Sequence, residues 1–199
     1  MIATLLAPTE LRRLTVEEYH QMAAIGILGA DEPVELLAGQ IVQKMPKGPA
    51  HSALCKILEK LLEQRLGAQA LVRLQDPVTL SPNSEPEPDL AIVRPKADFY
   101  AQQHPTPEDV YLIVEVADST VERDLTVKAQ LYAATGIEDY WVLNVAAQQL
   151  HVFRKPKAAG YQQQLILKGQ ETIDIFAFPE AELVSVSACF GALGAKDIA

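Results

Sequence analysis

Leu54, Ile57, Leu58, Leu61, Leu62 and Leu66 recur every three or four residues, the spacing of one apolar helix face, and Gly67 supplies a stop. Upstream, Thr15 and Glu18 fit a capping box and Leu14 with Tyr19 a hydrophobic staple. That helix is expected to end between Gly26 and Gly29. Val34 to Lys44 alternates loosely around Ala38-Gly39, which predicts a hairpin. Leu71 to Leu80 reads as a strand, and Ser81 to Pro88 is a stiff loop holding Pro82, Pro86 and Pro88. Asp89-Leu90-Ala91-Ile92-Val93 is a short apolar strand that opens on an acid. After a polar connection over 95–110, Tyr111 to Ala117 is a nearly unbroken β-branched run, typical of a strand covered on both faces. Ser119 or Thr120 can cap a helix that runs to Thr135, with Gly136 at its C′ position. Tyr140 to Val145 is another buried strand, so this stretch forms a right-handed strand–helix–strand crossover within a mixed sheet. Leu150–Phe153, Gln163–Leu167 and Thr172–Phe176 read as closing strands or hairpin arms. The expected architecture is α/β, a mixed sheet flanked by helices. The expected organisation is an arm over 1–13, one domain over 14–190 and a tail over 191–199.

Composition narrows the function classes. At 199 residues and 49% hydrophobic, the chain suits a single domain with a sizeable core. No apolar run reaches the roughly 18 residues of a membrane-spanning helix, and Met1 to Pro8 is short and lacks a basic leader. The expectation is a cytoplasmic protein with no membrane partner. The net charge of −9 argues against a nonspecific DNA coater. It does not exclude a nuclease, whose metal-holding carboxylates count as negative until a cation binds. Cys55 and Cys189 have no zinc-like spacing and read as buried thiols.

Two acids stand out. Glu115 sits inside Leu112-Ile113-Val114-Glu115-Val116, where an ionised carboxylate costs several kcal/mol unless it is neutralised, paired or metal-bound. A structural ion pair with Arg or Lys would equally account for it. Asp89 stands where the proline loop meets an apolar strand, and a turn-forming Asp is its bland alternative. Acids at the ends of adjacent strands can converge, and paired carboxylates favour a shared proton or a divalent cation. Asp124, Lys128 and Tyr132 follow at i, i+4 and i+8, on one helix face. That face is either an exposed ion pair or a lysine turned towards Glu115.

These residues, in this order, resemble the Uma-type restriction endonuclease family of the PD-(D/E)xK nuclease superfamily. The resemblance spans roughly residues 14–185. It is carried by Val34 to Val42, His51, Pro88 to Val93, Leu112 to Thr120, Asp124, Lys128, Tyr132, and Gly136-Ile137-Glu138-Asp139-Tyr140-Trp141. It implies a restriction-endonuclease-like fold and a DNA endonuclease dependent on Mg²⁺, with Mn²⁺ as substitute. Asp89 and Glu115 would be its metal ligands. The lysine expected two positions after Glu115 is Ala117 here, so the resemblance implies that Lys128, on the following helix, replaces it. Glu35, Asp124, His51 and Glu87 are possible supporting groups, with Glu85 ranked below Asp89. Tyr132 and Trp141 are expected in the core rather than stacked on bases. Arg154, Lys155 and Lys157 are the only compact basic cluster, by default a solvated hairpin end. DNA is the implied partner, and a homodimer follows by analogy with nucleases that cut two strands. The alternative is a nuclease-fold binding or regulatory module with weak or no catalysis.

Overall fold

The computed structural model describes residues 11–29 and 31–195. Most of the expected arm and the end of the expected tail lie outside that range. Thr15 caps α1 (Val16–Ala24): its side chain accepts from the Glu18 amide, and the Glu18 carboxylate returns to the Thr15 amide. The hairpin follows as β1 (Val34–Leu37) and β2 (Gln40–Gln43), turning on Ala38 and Gly39, both at positive φ. A Cβ at Gly39 would lie 2.6 Å from Arg13, so the turn tolerates only glycine there.

α2 (Pro49–Leu66) ends at Gly67 and buries Leu54, Leu58, Leu62 and Leu66, worth about 1.5–3 kcal/mol each. The central sheet contains β3 (Leu71–Leu74), β4 (Leu90–Val93), β5 (Val110–Ala117), β6 (Asp139–Asn144), β7 (Gln149–Lys157) and β8 (Gly160–Lys168), in that spatial order. Only β5 and β6 are parallel. The crossover between them is α3 (Val121–Arg123), a π-helical segment (Asp124–Lys128) and α4 (Ala129–Ala134). β9 (Thr172–Ile173) and β10 (Val184–Ser185) pair separately, and α5 (Val186–Phe190) packs against α2.

The sheet separates two cores. Leu112, Val114 and Val116 of β5 pack with α2, whereas Ile113 and Ala117 pack with Ala129 and Tyr132 of α4. Strand alternation therefore turns Glu115 towards α4.

Several expectations need correction. The strand predicted over Leu71 to Leu80 stops at Leu74, because Gln75 adopts φ 57° and the Asp76-Pro77 step follows. Thr120 occupies the N-cap position of α3 without capping an amide; its hydroxyl donates to the Asp124 carboxylate. The single helix expected to Thr135 is interrupted by the π segment, although Gly136 does take the left-handed conformation, φ 83°. β7 and β8 outrun the predicted arms, and the strand expected over Thr172–Phe176 shrinks to two residues. The basic cluster is dispersed: Arg154 is buried between Asp139 and Asp174, leaving Lys155 and Lys157 at the hairpin end. Among the described residues no helix is long and apolar enough to cross a membrane. Cys55 and Cys189 are both free and buried.

Candidate functional site

A cleft of about 60 Å³, room for a few waters, opens where β5 leaves the sheet. Asp89, Glu115, Lys128, Glu35, Asp124, His51 and Glu87 all line it. The seven residues singled out in the sequence thus converge on one place. Glu85 does not: it turns to the other side, bonding His20 and Thr79.

Asp89 is placed by the sheet. β4 pairs with β5 from Leu90 opposite Val114, and just beyond that register the Val116 amide donates to Asp89 Oδ2 at 2.9 Å. His51, on the first turns of α2, contacts the same oxygen through Nε2 at 3.0 Å, and Gln75 donates to Oδ1 at 3.3 Å. Burial alone would raise the Asp89 pKa; His51, the Val116 amide and Lys128 outweigh it and hold the carboxyl below its usual range.

Glu115 is the reverse case. It is 4% exposed, and Lys128 Nζ (2.8 Å) and the Tyr132 hydroxyl (3.0 Å) both donate to its Oε1. Burial nevertheless pushes its carboxyl up to about 8, with Asp124, Asp89 and Glu35 adding to the rise against Lys128. Lys128 is also 3.3 Å from Glu35. Burial would lower the Lys128 pKa, but Glu115, Glu35 and Asp124 carry it above its ordinary value. The two trends are consistent: Lys128 stays charged, and one ammonium cannot neutralise every carboxylate around it. Asp124, 2% exposed, is likewise raised by burial.

Glu35 completes the deficit. Its Oε2 accepts from the Glu87 amide at 3.2 Å, while Oε1 is buried with no hydrogen-bond partner among the described residues. Glu35 and Glu115 therefore share Lys128 in direct contact, while Asp89 and Asp124 lie within its field, with His51 at the edge. No three of these carboxylates bring ligand oxygens within 4.8 Å of one another, so a hard divalent cation such as Mg²⁺ would take one or two of them and complete its shell with waters, the usual pattern for that ion.

The π-helical segment holds both Asp124 and Lys128 in the buried position, and its exit into α4 sets Tyr132 four residues on. Such segments are frequent at functional sites. Tyr132 is fully buried as expected, but its hydroxyl also belongs to the site. Trp141 is core, donating to Asp139. Glu87 pairs with Lys44 at the mouth.

Residues not expected at the site also meet here. Lys44, Lys47, Thr120 and Arg123 line the cleft, and Cys55 lies behind His51. Polar residues in the irregular 44–48 connection carried no periodic signal. The i, i+4 spacing of His51 and Cys55 was readable but has no meaning without the third partner.

Residues 16–187 match the model of the Uma2 family, described as "Putative restriction endonuclease". No curated protein matches the chain. Among solved structures, the chain resembles a protein from Anabaena variabilis described as a "putative nuclease belonging to DUF820". Its TM-score is 0.68 at 17% identity, over 89% of this chain and 97% of that one. At that identity the likeness establishes the fold, a mixed sheet with flanking helices shared with a nuclease-type protein.

Proposed function

Because the chain belongs to the Uma2 family, we propose that it is a Mg²⁺-dependent DNA endonuclease, with Asp89 and Glu115 as metal ligands and Lys128 in place of the lysine missing at Ala117. One observation carries the proposal: Glu35, whose Oε1 is buried and unpartnered, and Glu115 share the buried Lys128 ammonium, and Asp89 and Asp124 line the same cleft, open to solvent.

Each residue then has a definable task. Asp89 is kept ionised by His51 and the Val116 amide, ready to accept a cation. Glu115 is oriented by Tyr132 and Lys128 through one oxygen, Oε1. Mg²⁺, when bound, supplies Lewis acidity towards a phosphate oxygen and the attacking water. Lys128 Nζ, held by Glu115 and Glu35, would orient that water or stabilise charge developing on the phosphate oxygens. Glu35 and Asp124 keep the ammonium charged and aligned. At the mouth, Lys44, Lys47 and Arg123 provide the positive charge to meet phosphates that the chain as a whole lacks.

The test is cleavage of plasmid and single-stranded DNA with Mg²⁺ or Mn²⁺. Cleavage that stops with chelator and is lost in both Asp89→Ala and Glu115→Ala is the expected result. Activity that survives both substitutions overturns the assignment. A folded protein that binds Mg²⁺ without cutting would instead be a nuclease-fold binding module. A homodimer that cuts two strands and a cytoplasmic location belong to the same proposal. Sedimentation showing only a monomer on duplex DNA would remove the first, and fractionation would test the second.

A further inference from the structure

On the inner wall of the cleft stands a donor set of different chemistry. His51 and Cys55 occupy successive turns of α2, with Nδ1 and Sγ 3.6 Å apart. Asp89, just ahead of β4, approaches the other ring nitrogen, 3.0 Å from Nε2, so a shared ion requires its carboxylate to turn from Nε2 towards the ion. One imidazole nitrogen, the thiol sulfur and one carboxylate oxygen lie within 4.8 Å of one another; no other three His, Cys, Asp or Glu among the described residues do so. Sulfur and nitrogen ligands on a tetrahedral Zn²⁺ sit about 3.6 Å apart, given Zn–S of about 2.3 Å and Zn–N of about 2.05 Å. Cys55 is 2% exposed and the His51 side chain 11%, so both donors are already largely desolvated.

The geometry points to a second metal site, in which His51, Cys55 and Asp89 bind a borderline-soft divalent ion of the Zn²⁺ or Co²⁺ type. Mixed nitrogen, sulfur and oxygen ligation selects such ions over Mg²⁺, which takes oxygen and rejects thiolate. Three protein ligands leave one position of a tetrahedral ion for a water or another group. Binding converts the Cys55 thiol to a thiolate bonded to the ion and releases its proton to solvent. It also removes the His51 contact from Asp89.

Asp89 belongs to both sites, so the two ions compete. Occupancy of the His51–Cys55–Asp89 site withdraws Asp89 from the oxygen-ligated centre. That consequence, unlike the binding itself, rests on the proposed role of Asp89 in holding Mg²⁺.

The experiment titrates full-length protein with Co²⁺ and Zn²⁺, in the wild type and in Cys55→Ser. Absorption spectroscopy follows Co²⁺ and calorimetry follows Zn²⁺ and Mg²⁺. In the wild type, Co²⁺ is expected to give a thiolate-to-cobalt charge-transfer band and Zn²⁺ to bind at one equivalent. Cys55→Ser loses the band and weakens Zn²⁺ at least tenfold, with Mg²⁺ affinity within about twofold of wild type. One equivalent of Zn²⁺ weakens Mg²⁺ binding more in the wild type than in the variant, where only direct competition at the carboxylates remains. If the serine hydroxyl is not tolerated in the core, Cys55→Ala carries the same comparison. A wild type with no charge-transfer band, or Zn²⁺ binding indifferent to Cys55, overturns the inference. Thiolate-ligated binding in a protein that never cuts DNA would uphold it while refuting the nuclease proposal. DNA cleavage with no thiolate ligation would do the opposite.

Discussion

The sheet carries two buried charge clusters, and they are built in opposite ways. On β6 and β7, Asp139 accepts from Arg154 Nε and Nη2, from Trp141 Nε1 and from the Phe176 amide, while Asp174 takes the remaining guanidinium edge. Donors and acceptors there are matched, with a planar fork meeting a carboxylate on two edges. On β5 and the crossover, Lys128 faces Glu35, Glu115 and Asp124, Asp89 stands nearby, and Glu35 Oε1 has no partner. The first cluster is closed and holds the structure together. The second is short of positive charge and opens to a cleft, which is the condition for recruiting a cation. Burial of the central pairs does not distinguish them, because Asp139, Arg154, Glu115 and Lys128 are all nearly inaccessible; the balance of partners does.

The largest effect should fall on the closed cluster. Asp139→Asn turns an amide donor towards donors already facing that position, and breaking a buried pair costs about 3–5 kcal/mol. The expected drop in Tm is roughly 6–20 °C, at about 2–4 °C per kcal/mol for this chain length, read by calorimetry. Glu115→Gln should behave differently, since Lys128 keeps Glu35 and Asp124. Its stability in the absence of metal should change by less than about 1 kcal/mol, the scale of ordinary substitutions, while Mg²⁺-dependent cleavage falls by about 10²-fold or more. Equal losses of Tm in the two variants would erase the distinction between the clusters.

The pH dependence of the metal-free protein sharpens it further. Glu115 is raised from its ordinary 4.5 to about 8 by burial. Its contribution to stability is therefore fully present below pH 4.5 and is lost as pH rises through about 8. Asp89 is lowered, so its contribution is present above its ordinary 3.8 and lost as pH falls further. Urea unfolding of chelated protein should show stability falling between about pH 5 and 9, and Glu115→Gln should flatten that fall. The smallest effect belongs to the rim. Lys47→Ala should weaken DNA binding a few-fold and reduce the salt slope by about 1, in binding titrations at several salt concentrations.

Much of this was legible in the sequence, and the reason is energetic. Glu115 in a β-branched strand announces itself, because an apolar run tolerates an ionised carboxylate only when something answers it. The hairpin, α1 and α2 follow from alternation, a capping box and helical leucine spacing. The convergence of Asp89 and Lys128 on Glu115 depended on order along the chain and on the resemblance, since neither residue is anomalous by itself. Gln75 was opaque: its left-handed backbone ends β3, although Val78 and Leu80 extend the apolar pattern. The π segment was equally hidden, because i, i+4 spacing looks the same in a regular helix. Arg154 misled because three basic residues in four look solvated, yet strand alternation takes Arg154 inward, where two aspartates distant in sequence receive it.

Thermal melting with and without Mg²⁺, in the wild type and in Glu115→Gln, tests the central claim most directly. If the undersatisfied cluster is a divalent-cation site, Mg²⁺ stabilises the wild type by RT ln(1 + [Mg²⁺]/Kd), about 2.7 kcal/mol at one hundred times Kd, and leaves Glu115→Gln unmoved. An unchanged wild-type Tm, or an equal rise in the variant, would contradict it.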